Sequence, residues 1–159
     1  MMFNLTKIVL MFLLLVSCDS SSSLYTEEPD QSLSSVLTTE TLRLELDINA
    51  EKIETLQDIE ASFALTNISD VALSYGFNSG CQSGFTVKQN GTLILDSRNK
   101  FVCTGALTQL NLEPGENKEY QISTASIGDN KDLKKGIYQL AAFLLENHSQ
   151  AIGTSFEIK

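Results

Sequence analysis

The stretch that decides the fold is residues 81–103, CQSGFTVKQNGTLILDSRNKFVC, which has a cysteine at each end. Two apolar runs flank Asn90-Gly91 near its centre. An Asn-Gly pair between alternating runs is the strongest local signal for a two-residue hairpin turn, because both turn positions need a positive φ. We therefore expect residues 84–87 to pair with residues 92–97. This pairing brings the two cysteines together across the open end of the hairpin or of its neighbour.

The first eighteen residues have the pattern of an export signal. A short segment with one positive charge, Lys7, precedes nine uninterrupted apolar residues, 8–16. That length suits the hydrophobic region of a signal peptide and falls short of the roughly 20 residues that a membrane-spanning helix needs. Residues 15–18, Leu-Val-Ser-Cys, resemble the bacterial lipobox, which implies cleavage after residue 17 and acylation of Cys18. An ordinary secretory peptide or an uncleaved anchor is the alternative.

Residues 18–39 form a serine-rich segment that also contains acidic residues and one proline. Such a composition buries too little apolar surface to offset the conformational entropy of the chain, so we expect a disordered tether between Cys18 and a domain at 40–159. A recognition role for Leu24 and Tyr25 is the alternative. Lipid anchorage to a membrane would place the domain in the bacterial cell envelope, outside the cytoplasm, with the choice of membrane left open.

The domain itself has the period-two alternation of β-strands. No segment has a convincing helical period, and turn residues recur about every 8–12 residues, which is typical of a β-sandwich or a small barrel. We predict an all-β, antiparallel β-sandwich in which the most apolar run, 137–146, is a central strand. The expected strands are 42–48, 59–65, 71–77, 84–87, 92–97, 107–112, 118–123, 137–146 and 151–158.

Cys81 and Cys103 are expected to form a structural disulfide. With Cys18 assigned to the lipid, they remain as an even pair in an exported chain, where such pairs are usually oxidised. They are 22 residues apart, so the bond should contribute about 3 kcal/mol in the chain-entropy model. A redox or metal pair is the alternative, although Cys-x₂-Cys spacing is absent and no histidine lies nearby in the sequence.

The composition argues against several classes of function. The 11 basic and 20 acidic residues give a net charge of −9, which repels phosphate backbones and disfavours nucleic-acid binding. The only histidine, His148, falls in a predicted turn, and the sequence has no nucleophile–base pair, phosphate loop or metal cluster. We therefore predict neither an enzyme nor a cofactor. Residues 128–132 are oxygen-rich, but neighbouring lysines favour a solvated turn over a calcium site.

Five motifs follow one another along the domain: FALTNISD at 63–70, VALSYGF at 71–77, FTV at 85–87 ahead of the Asn-Gly turn, LEPGE at 112–116 and GIY at 136–138. In this order they resemble the BsuPI family, which is named for an intracellular proteinase inhibitor of bacilli. The resemblance covers about residues 42–159 and implies an immunoglobulin-like β-sandwich, but it assigns no reactive-site residue. The family often has tryptophans after the hairpin and after the Pro-Gly strand, and this chain has none.

Two functions follow from these expectations. The first is a membrane-tethered, non-catalytic protein-binding module that contacts another envelope protein. The alternative, implied by the resemblance, is an inhibitor of a serine protease, with the disulfide-braced loop 97–103 as the inhibitory segment. Four aromatic residues are expected to pack in the core, with a partner-facing surface around Phe101 as the alternative; they are Tyr75, Phe77, Phe85 and Phe101.

Overall fold

Ten β-strands make up the fold in the computed structural model, which describes residues 32–49, 53–127, 133–146 and 150–158. In chain order they are β1 (Ser32–Thr38), β2 (Leu42–Asn49), β3 (Glu60–Asn67), β4 (Leu73–Phe77), β5 (Ser83–Gln89), β6 (Thr92–Asp96), β7 (Thr108–Leu112), β8 (Asn117–Ser123), β9 (Gly136–Leu144) and β10 (Ala151–Ile158). Short 3₁₀ turns at Leu56–Asp58 and Ser97–Asn99 are the only helical turns in these residues. The predicted all-β class is confirmed.

The strands form two four-stranded antiparallel sheets and a two-stranded ribbon, in a sandwich-like arrangement. The first sheet has the order β1-β2-β3-β8, the second has the order β10-β9-β5-β6, and β4 pairs with β7. The apolar run predicted as a central strand is β9, which lies between β10 and β5. Its position follows from its composition, since a strand flanked on both sides has the least access to water.

The core consists of the inward-facing half of each strand. Alternate residues of β3 and β10 are buried along their whole length, as the period-two pattern requires. The rings of Tyr138 and Phe156 stack across the β9–β10 pair, with their centroids 5.5 Å apart. Ile53 and Leu56, which precede β3, are also buried and close one end of the core.

The Asn-Gly hairpin has the predicted geometry. Asn90 and Gly91 have φ values of 48° and 79°, and β5 pairs with β6 on either side of them. A bulge between Val87 and Lys88 shifts the register. β6, the second strand of the hairpin, ends at Asp96, one residue earlier than predicted. The Asp96 side chain accepts a hydrogen bond from the Arg98 amide and starts a 3₁₀ turn there.

The prediction of a disordered tether up to residue 39 is wrong for its last part. Residues 32–38 form β1, which pairs with β2 along its whole length, so the ordered domain begins by Ser32 and not at residue 40. None of the side chains at 33–38 is fully buried, although Leu33 packs partly against the core. The strand is therefore held mainly by backbone hydrogen bonds, which a serine-rich composition does not reveal.

Several predictions concern residues outside those that the structure describes. They are the signal peptide, Cys18 and the tether up to residue 31, the oxygen-rich segment 128–132, and His148. Within the described ranges, no helix has both the length and the apolar character that crossing a membrane requires.

Candidate functional site

The segment that joins β6 to β7, residues 97–107, is the candidate site and is called here the β6–β7 loop. It connects the second sheet to the β4–β7 ribbon. The predicted disulfide is confirmed: Cys103 in this loop is bonded to Cys81, and their Cα atoms are 5.5 Å apart. The loop is thus covalently tied to the segment just ahead of β5.

The first half of the loop is anchored on β5 through Ser97, which is buried. The Ser97 hydroxyl accepts a hydrogen bond of 2.8 Å from the Phe85 amide. Its carbonyl accepts bonds of 3.0 Å and 2.9 Å from the amides of Lys100 and Phe101. Gly84 permits this approach, because a Cβ at that position would lie 3.2 Å from the Ser97 hydroxyl. The backbone up to Phe101 is therefore fixed to the sheet.

Asp96 and Arg98 hold the turn at the start of the loop. The Arg98 guanidinium donates to both carboxylate oxygens of Asp96, at 2.6 Å from Nη2 and 2.9 Å from Nε. The guanidinium also lies 5.4 Å from the centroid of the Phe143 ring on β9. The side-chain hydrogen bond from Arg98 lowers the pKa of Asp96 below its usual value and outweighs the opposing effect of burial.

This pair predicts a pH-dependent contribution to stability. Because the folded pKa of Asp96 is lowered, its contribution is present above the unfolded pKa of about 3.9 and is lost as the pH falls through the folded value. We expect Asp96→Asn to lower the free energy of unfolding at pH 7 by about 1 kcal/mol, since Arg98 is largely exposed and solvent weakens the ion pair. Urea unfolding of both proteins across the pH range measures this difference.

The difference between the two proteins should begin to narrow below pH about 4, where Asp96 is protonated in the unfolded chain, and should disappear below the lowered pKa of the folded protein. Asp70→Asn removes an exposed carboxylate at the opposite end of the ribbon and serves as the matched control. An Asp96→Asn difference that stayed constant down to strongly acidic pH would show that the carboxylate charge does not stabilise the turn.

The second half of the loop is anchored on residues 79–81. Beyond the disulfide, the Thr104 carbonyl accepts a 2.9 Å hydrogen bond from the Gly80 amide. The Thr108 hydroxyl donates a 2.7 Å bond to the carbonyl of Ser79. A side chain at position 80 would collide with Thr104, so glycine is needed there for the two segments to lie side by side.

Between these two anchors the loop presents apolar side chains to solvent. Val102 is 100% exposed and Phe101 is 38% exposed, with its ring edge-on to Phe85 at a centroid distance of 6.1 Å. Leu107 is 80% exposed. Of the ten large apolar side chains exposed in the part of the chain that the structure describes, five lie within residues 93–107. Three of these five lie in the β6–β7 loop, so the loop is the candidate for a surface that contacts another protein.

The charge of this region differs from that of the rest of the chain. Residues 71–112 contain three basic residues and one acidic residue, a net charge of +2. The remainder contains eight basic and nineteen acidic residues, a net charge of −11. The one acidic residue, Asp96, is paired with Arg98, while Lys100 is exposed in the loop. The segment that contains the loop therefore carries a net positive charge in an otherwise acidic chain.

The sequence anticipated part of this site. It predicted the disulfide, and Phe77 and Phe85 are buried in the core as expected. Tyr75 is only partly buried, and Phe101, which was also expected in the core, is 38% exposed. The sequence did not predict that Val102 is fully exposed. Which of two adjacent apolar residues is buried depends on a neighbour that is distant in the sequence. In the described ranges, no group of three or more His, Cys, Asp or Glu side chains could hold a metal ion.

A comparison of the sequence with known protein families gives a match that includes this site. The family model described as intracellular proteinase inhibitor, BsuPI, matches residues 44–149, which are 106 of the 159 residues. The chain belongs to the BsuPI family. The match includes the whole β6–β7 loop and its disulfide partner. The BsuPI domain is thus proteinase-inhibitor-like, and inhibitor families are in general not enzymes.

Comparisons with individual proteins add little to the BsuPI assignment. No curated protein sequence matches the chain. A β-glucosidase from Erythrobacter marinus has a TM-score of 0.37 at 15% identity, over 78% of this chain and 15% of the glucosidase. A protein from Archaeoglobus fulgidus has a TM-score of 0.36 at 7% identity, over 80% of this chain and 94% of the other. The chain thus spans 15% of the glucosidase's length.

Proposed function

We propose that this BsuPI chain is a lipid-tethered, non-catalytic protein-binding module of the bacterial cell envelope, and that it binds through the β6–β7 loop. The observation that carries the proposal is Val102, a fully exposed apolar side chain between two anchored segments. A loop that is already ordered loses little conformational entropy on binding, so its exposed groups contribute more to affinity.

Lipid anchorage in this proposal is supported by the sequence Leu-Val-Ser-Cys at 15–18, which begins within the nine-residue apolar run 8–16. More than one acyl chain on Cys18 would give stable attachment, because each buried CH₂ contributes about 0.8 kcal/mol. Growth with a palmitate analogue should label the wild-type chain, and Cys18→Ser should abolish the label and leave the precursor uncleaved. Equal labelling of the variant would refute acylation at Cys18.

Proteinase inhibition is the second candidate function, and the family match favours it. The loop is exposed, as it must be to enter a protease cleft, and it is braced on both sides. The disulfide lies next to Val102 in the sequence, so the two ends of the loop would stay joined if a protease cut between them. Inhibition is therefore one specific form of the proposed binding role.

Site-specific photo-crosslinking tests the binding role directly. A photoreactive residue replaces Val102 in the full chain, and the same residue replaces Val71, an exposed valine before β4, as the control. In envelope membranes of the source bacterium we expect one crosslinked partner at position 102 and none at position 71. Identical patterns at both positions, or no product at either, would count against the loop as the binding surface.

Lys100 should speed the association with that partner, since the loop is basic and electrostatic attraction acts mainly on association rates. We expect Lys100→Glu to slow association about fivefold at low ionic strength, with the difference shrinking at high salt. Lys135→Glu makes the same change in net charge at an exposed position outside the loop. Equal slowing by both variants in surface plasmon resonance would show that net charge alone matters.

A further inference from the structure

We infer that the Val102 side chain enters the specificity pocket of a target proteinase. This pocket is shallow and apolar, and it suits a small aliphatic side chain. The inference rests on the binding role proposed above and names the partner.

Val102 projects from a backbone that is held immediately on both sides. On one side, the Phe101 amide donates a 2.9 Å hydrogen bond to the Ser97 carbonyl, and its ring lies against Phe85. On the other side, Cys103 is bonded to Cys81. Val102 itself is fully exposed. The backbone on both sides therefore holds Val102 in place, which is the arrangement that reduces the entropy cost of entering a pocket.

The neighbouring residues are held by the protein itself, Arg98 and Phe101 through their side chains and Lys100 through its backbone. Arg98 is paired with Asp96, and its guanidinium lies beside Phe143. The ring of Phe101 packs edge-on against Phe85 and would have to leave it to enter a pocket. The Lys100 backbone is helical, with φ −118° and ψ −32°, and its amide is bonded back to the Ser97 carbonyl. Val102 is therefore the apolar side chain of this segment that can enter a proteinase pocket without breaking a contact within the protein.

The side chain of Val102 determines the kind of pocket. Valine is short, apolar and branched at Cβ, so it cannot reach the base of a deep pocket built for a long basic side chain or an aromatic ring. A pocket that matches it must be shallow and apolar, and a mismatch of one methylene changes recognition by about 10- to 200-fold. The basic charge of the surrounding segment favours a proteinase with an acidic or neutral rim around its cleft.

Slow cleavage in such a complex would not release the loop. Hydrolysis of the peptide bond after Val102 consumes one water and leaves a carboxylate on Val102 and an amine on Cys103. The amine end stays attached through the disulfide to Cys81, and the carboxylate end stays hydrogen-bonded to Ser97 through Phe101. Both ends remain part of one covalently continuous molecule, so the cut loop stays attached to the domain and does not leave the cleft as a separate fragment.

The test uses the full chain in detergent and three serine proteinases that prefer, respectively, small aliphatic, basic and aromatic residues before the cut bond. We expect inhibition of the first only. Val102→Gly should weaken that inhibition by about 100-fold, and Val102→Lys should transfer inhibition to the proteinase that prefers basic residues. Val71→Gly and Val71→Lys are the matched controls and should inhibit like the wild type. Circular dichroism and thiol titration establish that each variant is folded with its disulfide intact.

The outcomes separate this inference from the proposed function. If Val102→Gly still inhibited any of the proteinases, the role of Val102 would be overturned, while inhibition as the function of the chain would stand. No inhibition by the wild type or by Val102→Lys, together with a partner crosslinked at position 102, would overturn the choice of a proteinase and keep the binding module. Absence of both inhibition and crosslinking would overturn the proposed function as well.

Discussion

Replacing Asn67 with alanine is expected to lower the free energy of unfolding by about 3 kcal/mol. Asn67 is a fully buried polar residue at the end of β3. Its side-chain amide donates to the carbonyls of Val71 and Leu112, at 2.8 Å and 2.9 Å, and its side-chain oxygen accepts from the amide and hydroxyl of Ser69. Alanine would leave the Leu112 carbonyl without this donor away from water, which costs more than the bond itself contributes, and would also remove the bonds to Val71 and Ser69.

Asn67→Asp should destabilise the domain even more, because a carboxylate cannot donate to the two carbonyls and its charge is buried. Asn117→Ala is the control, since that amide makes an exposed bond to Thr66 and its loss should cost no more than about 0.5 kcal/mol. The chain has no tryptophan, so urea unfolding is followed by far-ultraviolet circular dichroism. Equal midpoints for the variants at positions 67 and 117 would contradict this role.

Loss of the disulfide is the second large effect. Replacing Cys81 and Cys103 together by alanine should lower the free energy of unfolding by about 3 kcal/mol, because the bond restricts the unfolded chain over 22 residues. The loop should also loosen locally. Hydrogen exchange should speed up at the Gly80 amide, whose partner Thr104 lies beside the bond, and much less at the Phe101 amide, which Ser97 holds.

A reductant provides the internal control for this prediction. It should bring the wild type to the stability of the double variant and leave the double variant unchanged. A double variant that unfolds at the wild-type urea concentration would show that the disulfide contributes nothing to global stability. Uniform acceleration of exchange at Gly80 and Phe101 would show that Ser97 does not anchor the first half of the loop on its own.

The parts of the fold that the sequence predicted are those governed by local rules. The Asn90-Gly91 turn requires positive φ at both positions, and the structure has it. The alternation in β2, β3 and β10 requires one buried face, and the structure buries it. The even pair of cysteines, in a chain that the sequence predicts to be exported, predicted the disulfide correctly. Each of these signals lies within a short stretch of residues.

The parts that the sequence did not predict depend on distant neighbours. β1 is stabilised by its pairing with β2. Its serine-rich composition, taken without that partner, predicts disorder. Asn67 bonds to Ser69 within its own turn, but its bond to Leu112 spans 45 residues and ties that turn to β7. Val102 and Phe101 are both apolar, and only the position of Phe85 decides which of them is fully exposed.

The placement of β1 has a mechanical consequence. A pull on the chain ahead of Ser32 would peel this edge strand from β2, starting at the Ser32–Asn49 pair. Because the side chains at 33–38 are not fully buried, the strand can detach while the rest of the sandwich keeps its core. Seven detached residues would lengthen the connection to an anchor by about 24 Å. With the proposed lipid anchor, detachment of the first strand would let the domain reach further from the membrane under load.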